Sequence, residues 1–212
     1  MDMISESNAL RLCGAAAGSP FYSHSTRGAE FWQFLLSIRR LSGTEDRIPV
    51  ILRREILDRL SLSEGDRLQV EGELRSFNNR RGEGAKLVIT AYARQVQRWD
   101  GPDENRLSLL GTLCKPPSLR QTPLGRDICD LMLAVNRRCG RSDYLPCICW
   151  GSLARRAAAW QVGDRLRLVG RVQSRNYLKV TEQGQVERTA YEVSVTEASR
   201  IPSAVTEAAE VR

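Results

Sequence analysis

Histidine is almost absent from this chain: 212 residues contain one, His24. Imidazole is the side chain that most often carries protons at neutral pH, so little acid–base machinery is available. The chain also has no Walker-type glycine-rich loop, no G-x-S-x-G, no H-E-x-x-H and no C-x-x-C. Its carboxylates are scattered and mostly stand beside arginines. These absences argue against an enzyme. No apolar run approaches the roughly 18 residues that span a bilayer, and the N-terminus lacks a basic region followed by an apolar one. The expectation is a cytoplasmic protein with no membrane partner. Lysine is scarce as well. Only Lys86, Lys115 and Lys179 occur, so nearly all positive charge is guanidinium, which forms planar forks with phosphate and stacks on bases.

What is present is ordinary globular composition, with 42% hydrophobic and 27% charged residues. There are 32 basic and 25 acidic residues, net +7. The excess is uneven. Residues 1–100 hold 15 basic and 13 acidic groups, whereas residues 105–200 hold 16 and 8. A basic unit of this size attracts polyanions, nucleic acid first; a merely soluble basic surface is the alternative. Six cysteines suggest an oxidised framework until their positions are read. Cys13 and Cys114 lie near equivalent strands, and Cys129, Cys147 and Cys149 sit within apolar strand patterns, where cysteine serves as a small core residue. One C-x-C pair with one distant histidine is a poor zinc signature. No metal and no cofactor are expected.

The chain says nearly the same thing twice. At an offset of 97, Asn8 matches Asn105, Gly14 matches Gly111, Gly28 matches Gly125, Arg40 matches Arg137, Asp46 matches Asp143 and Pro49 matches Pro146. The offset then becomes 98: Gly65-Asp66-Arg67-Leu68 matches Gly163-Asp164-Arg165-Leu166, Gly72 matches Gly170 and Ser76 matches Ser174. A repeat this long means two copies of one domain, since solenoid units are about 20–50 residues. The division expected is a first domain over 6–97, a linker over 98–104, a second domain over 105–200 and a flexible tail over 201–212.

Each copy reads as three strands, a helix and two more strands. Period-two patterning marks strands over 8–15 and 105–113, then 30–40 and 127–137, then 47–52 and 144–149. The period changes over 53–62, where Ile56, Leu57 and Leu60 share a helical face. The partner segment after Trp150 is alanine-rich, with Ser152 as its N-cap and Gly65 or Gly163 closing each helix. Strands follow over 67–76 and 165–174, and over 86–96 and 186–195. This β-β-β-α-β-β order predicts two tandem five-stranded OB-fold barrels, an all-β class with one short helix per domain.

OB barrels bind many things, but the second copy carries more. Residues 105–137 (N-x-L-x-L-x-G-x-L, then Arg120-Gln-Thr122-Pro-Leu-Gly125, then an apolar strand), residues 147–170 (C-I-C-W-G-S-L-A…W-Q-V-G-D-R-L-R-L-V-G) and residues 170–177 resemble, in order and spacing, the bacterial single-stranded DNA-binding protein family. The first copy is similar mainly through the internal repeat. The resemblance implies sequence-independent binding and protection of single-stranded DNA in replication, recombination or repair. A restart accessory factor using one barrel for protein contact, and an RNA-binding OB module, are the alternatives.

The resemblance also implies stacking positions, held here by Tyr144, Trp150 and Tyr177. Any base offers a π-face to such rings, and Arg120, Arg126, Arg137, Arg171 and Arg175 are placed to hold phosphates. Trp150, beside a helix, also fits a core place; Trp160 reads as core. The first copy has Arg47, Arg53 and Asn79 at the matching positions. There Arg53 is a stacking guanidinium, and Phe77, Arg75 and Arg80 are the remaining candidates, so the first domain is expected to be the weaker binder or a pairing domain. The resemblance implies a homodimer presenting four barrels, paired edge to edge through strand one at Leu12 or Leu110. Replication or repair proteins are further partners of the family through an acidic tail with an apolar tip; this sequence ends Glu207-Ala-Ala-Glu210-Val-Arg212, which does not match that tip.

Overall fold

Strands dominate the computed structural model, which describes residues 7–79, 86–181 and 184–202, apart from the side chains of residues 179 and 181. The first copy runs β1 (Asn8–Ala16), β2 (Phe21–Thr26), β3 (Ala29–Arg39), β4 (Glu45–Arg53), α1 (Arg54–Leu60), β5 (Arg67–Asn78) and β6 (Leu87–Arg98). The second runs β7 (Glu104–Leu113), β8 (Ser118–Gln121), β9 (Asp127–Asn136), β10 (Ser142–Trp150), α2 (Ser152–Ala157), β11 (Arg165–Thr181) and β12 (Gly184–Ile201). In each copy five strands close on themselves. The first barrel goes round as β3-β4-β6-β5-β1 and back to β3, the second as β9-β10-β12-β11-β7 and back to β9. These are the two OB-type barrels that the β-β-β-α-β-β order predicts.

Alternation builds the barrels. Along β3, Phe34, Leu36 and Ile38 point inward and are buried; along β9, Cys129, Leu131, Leu133 and Val135 do the same. Closing so few strands needs sharp bending. Gly72 and Gly170 sit where the β5–β6 and β11–β12 registers slip by one residue. A Cβ there would lie 2.0 Å from the Tyr92 carbonyl oxygen and 2.3 Å from that of Ser194, so only glycine admits the bulge that turns the strand.

Three local expectations change. β2 and β8 extend the sheet outward beside β3 and β9, although the proline-bearing segments before them read as loop. Helix α2 has Gly151, not Ser152, at its N-cap, in a φ +57° conformation that suits glycine. Gly65 and Gly163 do not close the helices, which end several residues earlier. Both have positive φ, and their N–H groups bond to the Ala16 and Leu113 carbonyls, returning the chain to strand one. The helices also differ: α2 buries Leu153, Ala154 and Ala157, while α1 buries no residue fully.

The barrels join through β1 and β7, which pair antiparallel. Leu10 lies opposite Leu107, its own counterpart at the offset of 97. Asn8–Leu109 and Leu12–Asn105 flank that pair at equal distance, and they too exchange under the repeat. A pseudo-twofold axis therefore passes between Leu10 and Leu107, both buried. The strand-one edge offered above to a second chain is thus occupied within this one, and Leu12 is wholly buried.

Matched polar locks sit on either side of the axis. Asp46 accepts from the N–H of Ser174 at 2.8 Å and from Arg40 Nε at 2.7 Å. In the reciprocal lock Asp143 accepts from the N–H of Ser76 at 2.6 Å, from Arg137 Nε at 2.8 Å and from Arg75. Asn8 and Asn105 clamp the backbone of Leu74 and Val172 through paired hydrogen bonds of 2.7–3.0 Å. Both aspartates are fully buried, and a buried charge is tolerated only when so completely satisfied. The stretch between β6 and β7 is fastened as well, since Trp99 donates to the Pro102 carbonyl and Arg67 to the Asp103 carboxylate.

Candidate nucleic-acid interface

On β10 the odd residues Asp143, Leu145, Cys147 and Cys149 face inward, which turns Tyr144, Pro146 and Trp150 outward. The Trp150 indole N–H donates to Ser194 Oγ at 3.2 Å, so Trp150 shares its face with Ser194 on β12. Ser194 pairs directly with Arg171 on β11, and the register continues Gln173–Glu192, Arg175–Ala190 and Tyr177–Arg188. Directly paired residues share a face. Trp150 also pairs with Ile128, and Ile128 with Arg120 on β8. One continuous outer face therefore carries Tyr144, Trp150, Tyr177, Arg120, Arg171 and Arg175. Tyr144 and Trp150 lie six residues apart, about 20 Å along an extended strand.

Each ring has a defined setting. Tyr144 is 49% exposed. Trp150 is half-buried, anchored at its edge by Ser194, and Arg126 lies over its ring at 4.9 Å. Arg126 is positioned by the preceding turn: its N–H donates to Thr122 Oγ1 and its carbonyl accepts from the Thr122 N–H. Arg175 lies 5.8 Å over the half-buried Tyr177. Arg120 forks onto Asp130 at 2.6 and 3.1 Å in an exposed pair, the kind worth at most about 1 kcal/mol and readily exchanged for phosphate. The Arg171 Nε is buried with no hydrogen-bond partner among the described residues. Trp160 packs against the core, as expected.

Arg137 and Arg75 do not join this face as free cations. Their guanidiniums are held by Asp143, and Arg137 also donates to the Ser76 carbonyl. Their first role is to lock the barrels together. Arg80 lies outside the described residues.

The first barrel has a ring set that sequence reasoning only partly found. His24 stacks on Phe31 at 4.9 Å, Phe31 lies 6.2 Å from Tyr92, and Arg53 covers Phe31 at 5.9 Å. Arg94 and Arg75 lie over Tyr92 at 4.9 and 5.8 Å. Phe77 is 47% exposed on the same face of β5 as Glu73 and Arg75. The resemblance does not single out Tyr92, although its place between the core residues Ala91 and Ala93 gives it an outward parity. Phe31 points outward but is covered by His24 and Arg53.

The thiols belong to packing. Cys13, Cys129, Cys147 and Cys149 are buried, and burial pushes the Cys147 thiol up and that of Cys149 up to about 12.

Residues 104–201 match the single-strand binding protein family. The second barrel is what this chain shares with that family. Over 80 residues it is 38% identical to single-stranded DNA-binding protein 2 of Listeria innocua, covering 34% of this chain and 50% of that protein. Over 88 residues it is 38% identical to single-stranded DNA-binding protein A of Bacillus subtilis, covering 38% and 50%. The chain thus spans about half the length of the curated relatives it matches. The wild-type single-stranded DNA binding protein of Thermus aquaticus has the same fold over both barrels, with a TM-score of 0.76, 23% identity, and coverage of 92% of this chain and 93% of that one. The family match falls on the barrel that carries Tyr144, Trp150 and Tyr177.

Proposed function

We propose that this protein binds single-stranded DNA without sequence preference, as a binding protein rather than an enzyme, and shields it during replication, recombination or repair. The observation that carries the reading is the single outer face of the second barrel, where three rings alternate with guanidiniums across β8–β12. Rings at about 20 Å spacing offer stacking to unpaired bases and nothing to a closed duplex. Each stacked base contributes about 1–3 kcal/mol whatever its identity, and each neutralised phosphate adds about −0.7 to the log–log salt slope. The first barrel contributes less, through Arg53, Phe77 and the Phe31–Tyr92 pair.

Titration with oligo-dT, the corresponding duplex and a folded RNA at several salt concentrations tests this. Tight, steeply salt-dependent binding to the single strand alone supports it. Equal affinity for duplex at moderate salt sinks it, because stacking needs unpaired bases. The chain acts as a homodimer presenting four barrels, paired through a surface other than the strand-one edge. Light scattering checks this: a mass near 23.8 kDa rules the dimer out, and about twice that supports it.

A further inference from the structure

Two grooves run along the junction of the barrels, exchanged by the pseudo-twofold axis. One is lined by Asn8, Arg75, Arg94, Arg137 and Arg138, the other by Asn105, Arg39, Arg40, Leu41 and Arg171. Asn8 corresponds to Asn105, Arg137 to Arg40 and Arg138 to Leu41, so the scaffold of the grooves is duplicated. Their charge is not. In the first groove Arg75, Arg94 and Arg137 share two carboxylates, Glu73 and Asp143, and exposed Arg138 adds a cation with no carboxylate partner among the described residues. Two positive charges are in excess. In the second groove Leu41 stands where Arg138 would be. Asp103 enters beside Asp46 and takes the Arg39 N–H at 2.7 Å and Arg67 at 2.7 Å. Four arginines there, Arg39, Arg40, Arg67 and Arg171, meet three carboxylates, because Glu192 also acts on Arg40 beside Asp46 and Asp103, leaving one.

The crowding in the first groove has a cost. Arg75 is partly buried and its pKa is pulled down, first by burial, which the Asp143 hydrogen bond opposes and the nearby Arg137 and Arg94 reinforce. A bound phosphate relieves such repulsion. The groove also connects two ring sets. At one side Arg94 and Arg75 lie over Tyr92 of the first barrel. At the other, Ser76 accepts Arg137 on its carbonyl and the Tyr144 N–H on its hydroxyl at 2.7 Å, which places the first ring of the second barrel at the groove's edge.

We infer that the groove of Arg75, Arg94, Arg137 and Arg138 is the phosphate crossing by which one single strand passes from the outer face of the first barrel to that of the second, and that its pseudo-symmetric counterpart is not used. This rests on the single-strand-binding reading. Arg138 supplies the free contact, and the shared cluster behind it supplies the field. The strand therefore takes one side of the junction although the scaffold offers two.

The test compares oligo-dT of about 8 nucleotides, within the reach of one OB fold, with oligo-dT of about 30, long enough for both. Arg138→Glu in the full chain is expected to weaken binding of the long oligomer about tenfold and of the short one less than about twofold, and Arg138→Ala to reduce the long oligomer's salt slope by about 0.7. Arg39→Glu, an equally exposed reversal in the other groove, is expected to change the long oligomer less than about twofold. Unchanged thermal midpoints for these surface variants show that the fold is intact. Equal losses on both lengths, or an Arg39→Glu effect as large as that of Arg138→Glu, overturn the crossing while leaving single-strand binding in place. Failure of the unmodified protein to hold either oligomer overturns both readings together.

Discussion

The two barrels share a scaffold and differ on their outer faces. Where the second has Trp150 on its third main strand, with Arg126 lying over it from a loop, the first has Arg53 on that strand, lying over Phe31 from the neighbouring strand. Ring and guanidinium have exchanged places. Where the second has Ala190 and Glu192, the first has Tyr92 and Arg94; where the second has Arg171, the first has Glu73. By contrast, the residues that build and join the barrels stay matched: Asn8 and Asn105 as clamps, Gly72 and Gly170 at the bulges, Asp46 and Asp143 in the locks. Duplication held fixed what packs and left free what faces solvent. The arginines over the first barrel's Tyr92 are tied to buried Glu73, and both Phe31 and Tyr92 are already covered. Arg126 is exposed and its ring sits in an open face. That difference, rather than a shortage of rings, is the ground on which we propose the second barrel as the stronger platform.

The sharpest way to break this comparison is to attack the locks. Asp143→Ala leaves partly buried Arg137 without its carboxylate and Arg75 with Glu73 alone, and is expected to destabilise the chain by about 3–5 kcal/mol. Asp46→Ala strips Arg40 and the Ser174 N–H in the same way. Urea unfolding of the two variants should give losses of similar size. A large effect at one site and none at the other would show that the pseudo-symmetry is geometric only.

Next in size is the contrast between ring sets. Trp150→Ala and Tyr144→Ala are each expected to weaken oligo-dT binding by about 1–3 kcal/mol, and Phe77→Ala and Arg53→Ala to cost less. Quenching of tryptophan fluorescence by oligo-dT should shrink in Trp150→Phe. If Trp150→Ala lowers the thermal midpoint but spares affinity, its bond to Ser194 is its whole purpose. If Phe77→Ala costs as much as Tyr144→Ala, the barrels are equal partners.

Much of this was legible in the sequence because period-two patterning and repeat spacing survive at the level of single residues. The offset of 97 alone predicts that Leu10 and Leu107 are counterparts. It does not say that they face each other, since pairing across an edge depends on how two closed surfaces dock. For the same reason the sequence shows the arginine character of Arg137 but not its capture by Asp143 and Ser76. β2 and β8 escaped because short edge strands beside prolines lack a hydrophobic alternation. Tyr92 is not marked by the repeat, because the first barrel places its rings at positions that do not match Tyr144, Trp150 and Tyr177.

The smallest expected effect concerns the thiols, which divide by barrel surface in the same manner. Cys13 is buried within β1, Cys114 follows β7 directly, and Cys129, Cys147 and Cys149 line the second barrel's interior, where the raised thiol pKa of Cys149, about 12, keeps sulfur protonated and unreactive at neutral pH. Cys139 is the exposed cysteine. It lies beside Arg138 in the turn where the first barrel has Ser42. A thiol-specific maleimide at neutral pH is expected to label one site per chain rapidly, and Cys139→Ser to abolish that labelling without altering the thermal midpoint. Because Cys139 also lines the groove with Arg138, bound oligo-dT long enough to reach both barrels should slow its labelling, whereas an oligomer that fits one barrel should not. Protection by both lengths alike would place the strand on the second barrel only, and rapid labelling of Cys149 would mean that the barrel opens far more readily than its packing implies.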